Sequence, residues 1–297
     1  MKLIKPYYEI LEQQSGIEGM FKQIEIAGRT CYKSEDKITE GSAKKFVHNM
    51  IKSGHLAMLE HGTVYMIVKH DHVDGVDMGD PYDLSLTFVL NKFSKCNHVD
   101  STTYITTNLR VVFEQFPEDW EDILEKYACN RTEHHPRRIS VRFICDRGIS
   151  HEFVRHRVFS FAEQSTRYCD YSKDKFNNEI SFIIPCFTNI KECTIRYKEY
   201  FNRKDDTMSE LESRFIDSLL SSEEKYFNLI KGKWTPQQAR AVLPNALKTE
   251  LVMTGFTDDW KHFFDLRAIG TTGAPHPQAK ELAEPLMNEF KSKNYIK

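Results

Sequence analysis

Arg155-His156-Arg157-Val158-Phe159-Ser160-Phe161-Ala162-Glu163-Gln164-Ser165-Thr166-Arg167-Tyr168 is the densest concentration of chemically able side chains in the sequence. If Glu163 to Arg167 is extended, the two-residue period of a strand puts Glu163, Ser165 and Arg167 on one side. A carboxylate, a hydroxyl and a guanidinium then converge. The arginine fork suits phosphate, and a hydrogen bond to a charged group contributes roughly 1.5 to 3 kcal/mol. Ser165 and Arg167 are therefore phosphate-ligand candidates, while Glu163 can accept from a sugar hydroxyl or a base N–H. The ordinary reading of such a stretch is a solvated strand with internal Glu–Arg pairs. Val154, Val158, Phe159 and Phe161 interleave with the charges, however, and should draw part of the segment inward. Unpaired guanidinium groups are costly there, so ligands or carboxylates must meet them.

Upstream, the strand alternation of Ile139, Val141, Phe143 and Cys145 puts all four on one face, behind Arg137 and Arg138, and delivers the chain to this segment. Nearer the start, helical spacing over Gly16 to Arg29 and Ala43 to Ile51, the latter stopped by Gly54, predicts two amphipathic helices. Thr63 to Val68 reads as a strand, His70 to Pro81 as a loop, Leu84 to Leu90 as a second strand, and Asp119 to Cys129 as helix. Downstream, Ile180 to Ile184 reads as a short strand, and Lys191 to Ile230 as helical with Leu211, Phe215, Leu219 and Leu220 inward. Thr235, Pro236 and Gln238 are a helix start with a capping box, and that helix should kink at Pro244. Another helix begins at Thr257 and runs to Arg267, and a last one follows His276.

Two more arginines sit in these apolar helices. Arg240 lies in Gln237-Gln238-Ala239-Arg240-Ala241-Val242-Leu243-Pro244, and Arg267 follows Trp260, Phe263 and Phe264 at the offsets of one helix face. Arg267 could snorkel past that aromatic stripe to water. A shared anion, which Arg155 and Arg167 also call for, is the alternative.

With 297 residues, 40% hydrophobic and 28% charged, the chain can bury a sizeable core and does not read as disordered. A formal charge of −2 gives no overall pull toward nucleic acid, so anion recognition must come from locally placed arginines. Met1 to Tyr8 lacks a signal-peptide core and no run of about 18 apolar residues occurs, which predicts a cytoplasmic protein without membrane association. The seven cysteines form no Cys-x-x-Cys pair, so most are expected to be reduced and structural. No internal repeat or linker divides the chain, which is expected to form one catalytic domain over residues 1–297.

The arginine segment resembles the signature of the flavin-dependent thymidylate synthases: Arg-His-Arg, seven residues, then Ser, here Arg155, His156, Arg157 and Ser165, with Ser160, Glu163, Arg167 and Tyr168 also at family positions. Gly54-His55-Leu56-Ala57-Met58-Leu59-Glu60-His61 is similar to the family's early flavin segment, Gly28 to Tyr32 to the one before it, and Arg240 to Pro244 and Asp265 to Arg267 to the C-terminal nucleotide segments. Residues 70–136 look like an insertion relative to compact members. The resemblance implies an α+β fold with a central, mostly antiparallel sheet flanked by helices, and a homotetramer whose active sites each draw on several subunits. It implies FAD as cofactor, dUMP as substrate, methylenetetrahydrofolate as carbon donor and NADPH as reductant, with the carbon reaching uracil C5 by way of the flavin. By position, His55, Glu60, Arg155, His156, Arg157, Val158 and His262 fall on the flavin or folate side. Arg155, Glu163, Ser165, Arg167, Arg240 and Arg267 fall on the dUMP side, with Arg267 the candidate catalytic cation. Glu152 stands where many members have Gln, Phe256 where many have a flavin-contacting Asn, and Cys31 for a frequent Ser; none of the three is assigned a contact.

Three rival readings fare worse. His151 and His156 differ by five residues, not the four that two zinc-binding histidines on a helix need, and would point about 140° apart. No metal is expected, and His70, His72, His134 and His135 read as solvated loop residues. A non-catalytic nucleotide- or nucleic-acid-binding protein using the arginine cluster is opposed by the balanced charge and by the absence of a basic stripe. No Gly-x-Gly-x-x-Gly supports a Rossmann oxidoreductase.

Overall fold

The computed structural model describes residues 1–70, 79–196 and 208–297. Its strands are β1 (Lys2–Ile4), β2 (Tyr7–Leu11), β3 (Thr63–Lys69), β4 (Lys95–Val99), β5 (Thr102–Asn108), β6 (Arg138–Asp146), β7 (Ser160–Glu163), β8 (Ser181–Ile183), β9 (Cys193–Thr194) and β10 (Lys248–Phe256). The alternation that marks β6 in the sequence is realised: Ile139, Val141, Phe143 and Cys145 all enter one core cluster. They pack there with Trp260, Phe263 and Phe264 of the Thr257–Phe264 helix and with Leu282, Leu286 and Phe290 of the Pro277–Ser292 helix. The opposite face of the sheet meets the Gly16–Tyr32 helix, where Ala27 packs with Ala162 and Val252.

The sheet order is β2-β6-β10-β7 and every pairing in it is antiparallel, with β10 matched to β6 from Lys248 opposite Asp146 to Phe256 opposite Arg138. Gly255 lets β7's neighbour pack flat on β10: a Cβ there would lie 2.6 Å from the Phe159 ring. A second antiparallel sheet, β3-β5-β4, shares a core with the Gly16–Tyr32, Ser42–Lys52 and Trp120–Tyr127 helices. A third, β8-β1-β9, contains the one parallel pairing among the described residues, β1 with β8, and packs on the Glu210–Lys231 helix. The architecture is α+β, a central antiparallel sheet flanked by helices. Among the described residues no helix is long and apolar enough to cross a membrane.

Several local expectations are corrected. Leu84 to Leu90 is not a strand but falls almost wholly in a helix, Gly79–Val89, whose Leu84 and Phe88 are buried one turn apart. Of the loop expected over His70 to Pro81, residues 71–78 lie outside the described residues, and the helix already begins at Gly79. Cys193–Thr194 is a strand, 197–207 lie outside the described residues, and the following helix is Glu210–Lys231. Leu211 is 78% exposed there, because Ile216, Leu219 and Leu220 take the buried stripe. The capping box at Thr235 forms, with Gln238 Oε1 accepting from the Thr235 N–H at 2.9 Å. Its helix ends at Ala239 and a 3-10 turn ends at Val242, so Pro244 follows an ended helix and kinks nothing. His135 is buried, not solvated: Nδ1 accepts from the Thr132 N–H at 3.1 Å and Nε2 reaches the Met66 carbonyl at 3.0 Å. His72 lies outside the described residues.

Candidate active site

Strand β7 carries the arginine segment, with Ser160 opposite Thr254 and Glu163 opposite Leu251 on β10. The extended stretch expected to continue to Arg167 stops at Glu163, and Thr166 to Tyr168 form a turn. The turn closes because the Ser165 N–H donates to the Cys31 carbonyl at 2.8 Å and the Ser165 hydroxyl accepts from the Arg167 N–H at 3.2 Å. Period-two alignment of Glu163, Ser165 and Arg167 is thereby lost, yet the three stay within one turn.

Glu163, half-buried, is held by Arg147 Nη1 at 3.2 Å and by the Thr249 hydroxyl at 3.1 Å. Arg147 opens a short helix directly after β6, capped by Asp146, whose Oδ1 accepts from the Ile149 N–H at 2.9 Å. Arg240, turned toward this loop by the short helix ahead of it, donates to the Thr166 hydroxyl at 3.1 Å. Arg167 is exposed and lies over the Tyr168 ring at 5.4 Å. Among the described residues neither Arg167 nor Arg240 has a carboxylate within ion-pair distance. Two uncompensated guanidinium groups thus flank Ser165, an arrangement that favours an anion.

A second group gathers at the Ser160 end of β7. His156 is buried, and its Nε2 accepts from Arg267 Nε at 3.1 Å, which makes the ring the neutral partner. Burial, then the Arg267 charge and His262, push His156 down to about 4. Arg267 also donates to Glu152 Oε2 at 2.5 Å and to the Glu152 carbonyl at 3.0 Å. The carboxylate at position 152 is therefore paired. The Thr257–Phe264 helix gives way to a π turn over Asp265–Ile269, which takes Arg267 out of the register of Trp260, Phe263 and Phe264 and toward Glu152. His262 is exposed with its ring 6.2 Å from that of His156. Arg155 and Arg157 are exposed and have no carboxylate within ion-pair distance among the described residues. Val158, expected to help draw the segment inward, is 58% exposed; Phe159 alone is fully committed to the core.

The early segment forms a third group. His55 is exposed at the start of the Leu56–His61 turn, and Glu60 pairs with Arg110 at 2.7 Å. His61 is fully buried against β10, with Nδ1 at 2.8 Å from the Thr254 hydroxyl and Nε2 without a partner. No hydrogen bond or ion pair among the described residues joins the three groups within one chain. The first two sit at opposite ends of β7, about 10 Å apart for a four-residue strand. Sequence reasoning missed Arg147, Thr249, Thr166 and Arg110. An arginine directly after a capping Asp at a strand's end was the available signal for Arg147, and Thr166 lies within the quoted segment itself; Thr249 and Arg110 are joined to the site only by folding.

A profile of the family described as thymidylate synthase complementing protein matches residues 122–293, more than half of the 297 and inclusive of both β7 groups. The chain belongs to this family. Relatives of the thymidylate synthase complementing family that it resembles include the flavin-dependent thymidylate synthase of Corynebacterium aurimucosum, 26% identical over 264 residues that span 88% of this chain and 72% of that one. The enzyme of the same description from Corynebacterium glutamicum is 27% identical over 266 residues, spanning 87% and 71%. Among solved structures the chain is similar to PolB of Streptomyces cacaoi, a UMP/dUMP methylase with bound 5-Br UMP, at a TM-score of 0.45 and 14% identity over 98% of this chain and 92% of that one.

The buried histidines of this family member set an acid limit. Burial, before the nearby Arg138 charge, pushes His61 from 6.5 to about 3, and His156 is depressed in the same direction. Both are neutral in the folded state, and the unfolded chain takes up their protons first. Stability is full above the unfolded value and falls as pH drops from about 6.5 toward 4, by roughly 1.4 kcal/mol per pH unit for His61. Urea midpoints between pH 7 and 4.5 should decline, and the decline should be shallower for His61→Gln. A flat wild-type profile would mean that these rings accept protons where they lie.

Proposed function

We propose that the chain is a flavin-dependent thymidylate synthase, converting dUMP to dTMP with methylenetetrahydrofolate as carbon donor, NADPH as reductant and FAD as cofactor. What carries the reading is the loop after β7, where Arg167, Arg240 and Ser165 offer an anion two guanidinium groups and a hydroxyl beside a fixed Glu163. Arg167, Arg240 and Ser165 would take the dUMP phosphate. Glu163, oriented by Arg147 and Thr249, would accept from the base or the sugar. Arg155 would reach the nucleotide from the other end of the segment.

The donor chemistry also fits FAD. Arg155 and Arg157 are exposed cations without a carboxylate partner among the described residues, suited to a pyrophosphate, and they flank a histidine held neutral. His55, Glu60, Val158 and His262 complete the proposed flavin and folate side. Bound FAD supplies reducing equivalents drawn from NADPH. Arg267 places a cation where charge develops on a uracil carbonyl as C5 becomes nucleophilic. The three groups, separate within one chain, are proposed to meet in a homotetramer whose sites each draw on several subunits, with residues 1–297 acting as one catalytic unit in the cytoplasm.

The purified protein should be yellow, with the absorbance of oxidised FAD, and should form dTMP from dUMP when given methylenetetrahydrofolate and NADPH. A colourless protein that takes up no added FAD sinks the proposal. Arg167→Ala should weaken dUMP binding about tenfold or more, the loss of one charged hydrogen bond, with flavin content unchanged. Arg167→Lys should also be impaired, because an ammonium cannot reproduce the planar fork. Equal dUMP affinity by calorimetry in wild type and both variants would remove Arg167 from the phosphate site.

A further inference from the structure

Beside the third group, the chain holds a cavity of about 460 Å³ between the start of the Gly16–Tyr32 helix, β3 and the start of β6. None of the residues assigned to dUMP or flavin lines it. Arg131, Arg137 and Arg138 do, together with Tyr65, Tyr295 and Glu12. The one carboxylate in that set already has partners: Glu12 accepts from Lys293 Nζ and from the Tyr295 hydroxyl of the same cavity wall, both at 3.1 Å.

Among the described residues the three arginines make hydrogen bonds and ring contacts to neutral groups only, while Glu60 and Asp259 act on Arg138, and Glu12 on Arg137, through space and beyond ion-pair distance. Arg131 donates to the His135 carbonyl at 3.4 Å, and Arg137 stacks on the Tyr295 ring at 4.4 Å. Arg138 is 9% exposed and reaches the Glu60 carbonyl at 3.2 Å, the Thr63 hydroxyl at 3.4 Å and the Thr107 carbonyl at 3.5 Å, while its buried Nε has no partner. Burial pushes Arg138 down to about 10, and burial with the Arg137 charge lowers Arg131. A guanidinium sheds its proton with great reluctance, so depressed values in a cluster mark charge that lacks compensation. Buried cations are normally paired, and here no carboxylate of the described residues lies within ion-pair distance of the three.

We propose that this cavity is a second ligand site, for a phosphorylated small molecule whose phosphate is gripped by Arg131, Arg137 and Arg138. A single carboxylate is served by one guanidinium fork, whereas three around one space call for a multiply charged anion. The cavity volume lies within the range of roughly 300 to 1,000 Å³ common to small-molecule sites, so an uncharged body accompanies the phosphate.

The test uses full-length, flavin-loaded protein saturated with dUMP, so that the proposed catalytic phosphate sites are filled, and inorganic pyrophosphate as the calorimetric probe. Wild type should bind it, and Arg131→Ala with Arg137→Ala should weaken binding by about tenfold or more for each arginine removed. Arg167→Ala should leave the pyrophosphate affinity unchanged, whatever it does to dUMP. Melting temperature and flavin content report whether the double variant is folded. Should it lose flavin, Arg131→Gln, which keeps most of the side-chain stem, repeats the measurement. Absence of binding in wild type, equal affinity in the arginine variants, or loss of binding on Arg167→Ala alone would each overturn the proposal.

Discussion

Arg267→Ala should lower dTMP formation by about a hundredfold or more, the loss expected on removing one preorganised charge donor, while the protein still binds FAD. Uracil C5 can be made nucleophilic in two ways. A thiolate can add to C6, or a cation can stabilise negative charge on the ring. Cys186, after Pro185, is the candidate for the first route, and most of the seven cysteines are expected from the sequence to be reduced and structural. In the structure it is exposed on the loop after β8, lining a cleft with Glu281. Burial and the Glu281 charge both push its thiol up, the wrong direction for a nucleophile at neutral pH. Cys186→Ala should therefore stay within a few fold of wild type.

Arg267 carries the second route, and its contacts show how its position is fixed. Glu152 and His156 hold the guanidinium from two sides, so it is ordered before any substrate arrives. Arg267→Lys should fall between wild type and alanine, because a lysine keeps the charge but cannot bind Glu152 and His156 together. Glu152→Gln should be well tolerated in turnover, since an amide oxygen still accepts from Nη1. If product formation vanishes in Cys186→Ala and survives in Arg267→Ala, the electrostatic account fails.

Trp260→Ala should destabilise the fold by about 3–5 kcal/mol, the range for deleting a buried large aromatic. Trp260 is fully buried, its ring within 6.2 Å of Phe143, Phe159, Phe263, Phe264 and Phe290, and its Nε1 donates to the Ile139 carbonyl at 3.2 Å. Alanine leaves both a cavity and a buried carbonyl short of a donor. Phe263 and Phe159 in turn contact the His156 ring, at 5.0 and 6.4 Å, so the second group loses its backing as well. Denaturant titration measures the loss. A change below about 1 kcal/mol, with flavin content intact, would show that neighbouring rings collapse into the space.

The sequence alone determined what nearest neighbours along the chain decide. Alternation over Ile139 to Cys145, the capping box at Thr235 and the helical stripe after Gly16 each need only a few consecutive residues, and each formed. The Arg-His-Arg segment likewise identified the family and one end of the site, because motif spacing is a local property. Tertiary structure decided the rest. Strand β10 escaped notice although it is the centre of the sheet, because burial on both faces removes the polar alternation that betrays a strand. Leu84 to Leu90 is a short apolar run whose helical state is set by what it packs on, not by its period. The turn at Ser165 depends on Cys31, the restraint on Glu163 on Arg147 and Thr249, and that on Arg267 on Glu152. Most of these partners are brought together from remote parts of the chain by sheet pairing and core packing, so no local pattern could announce them.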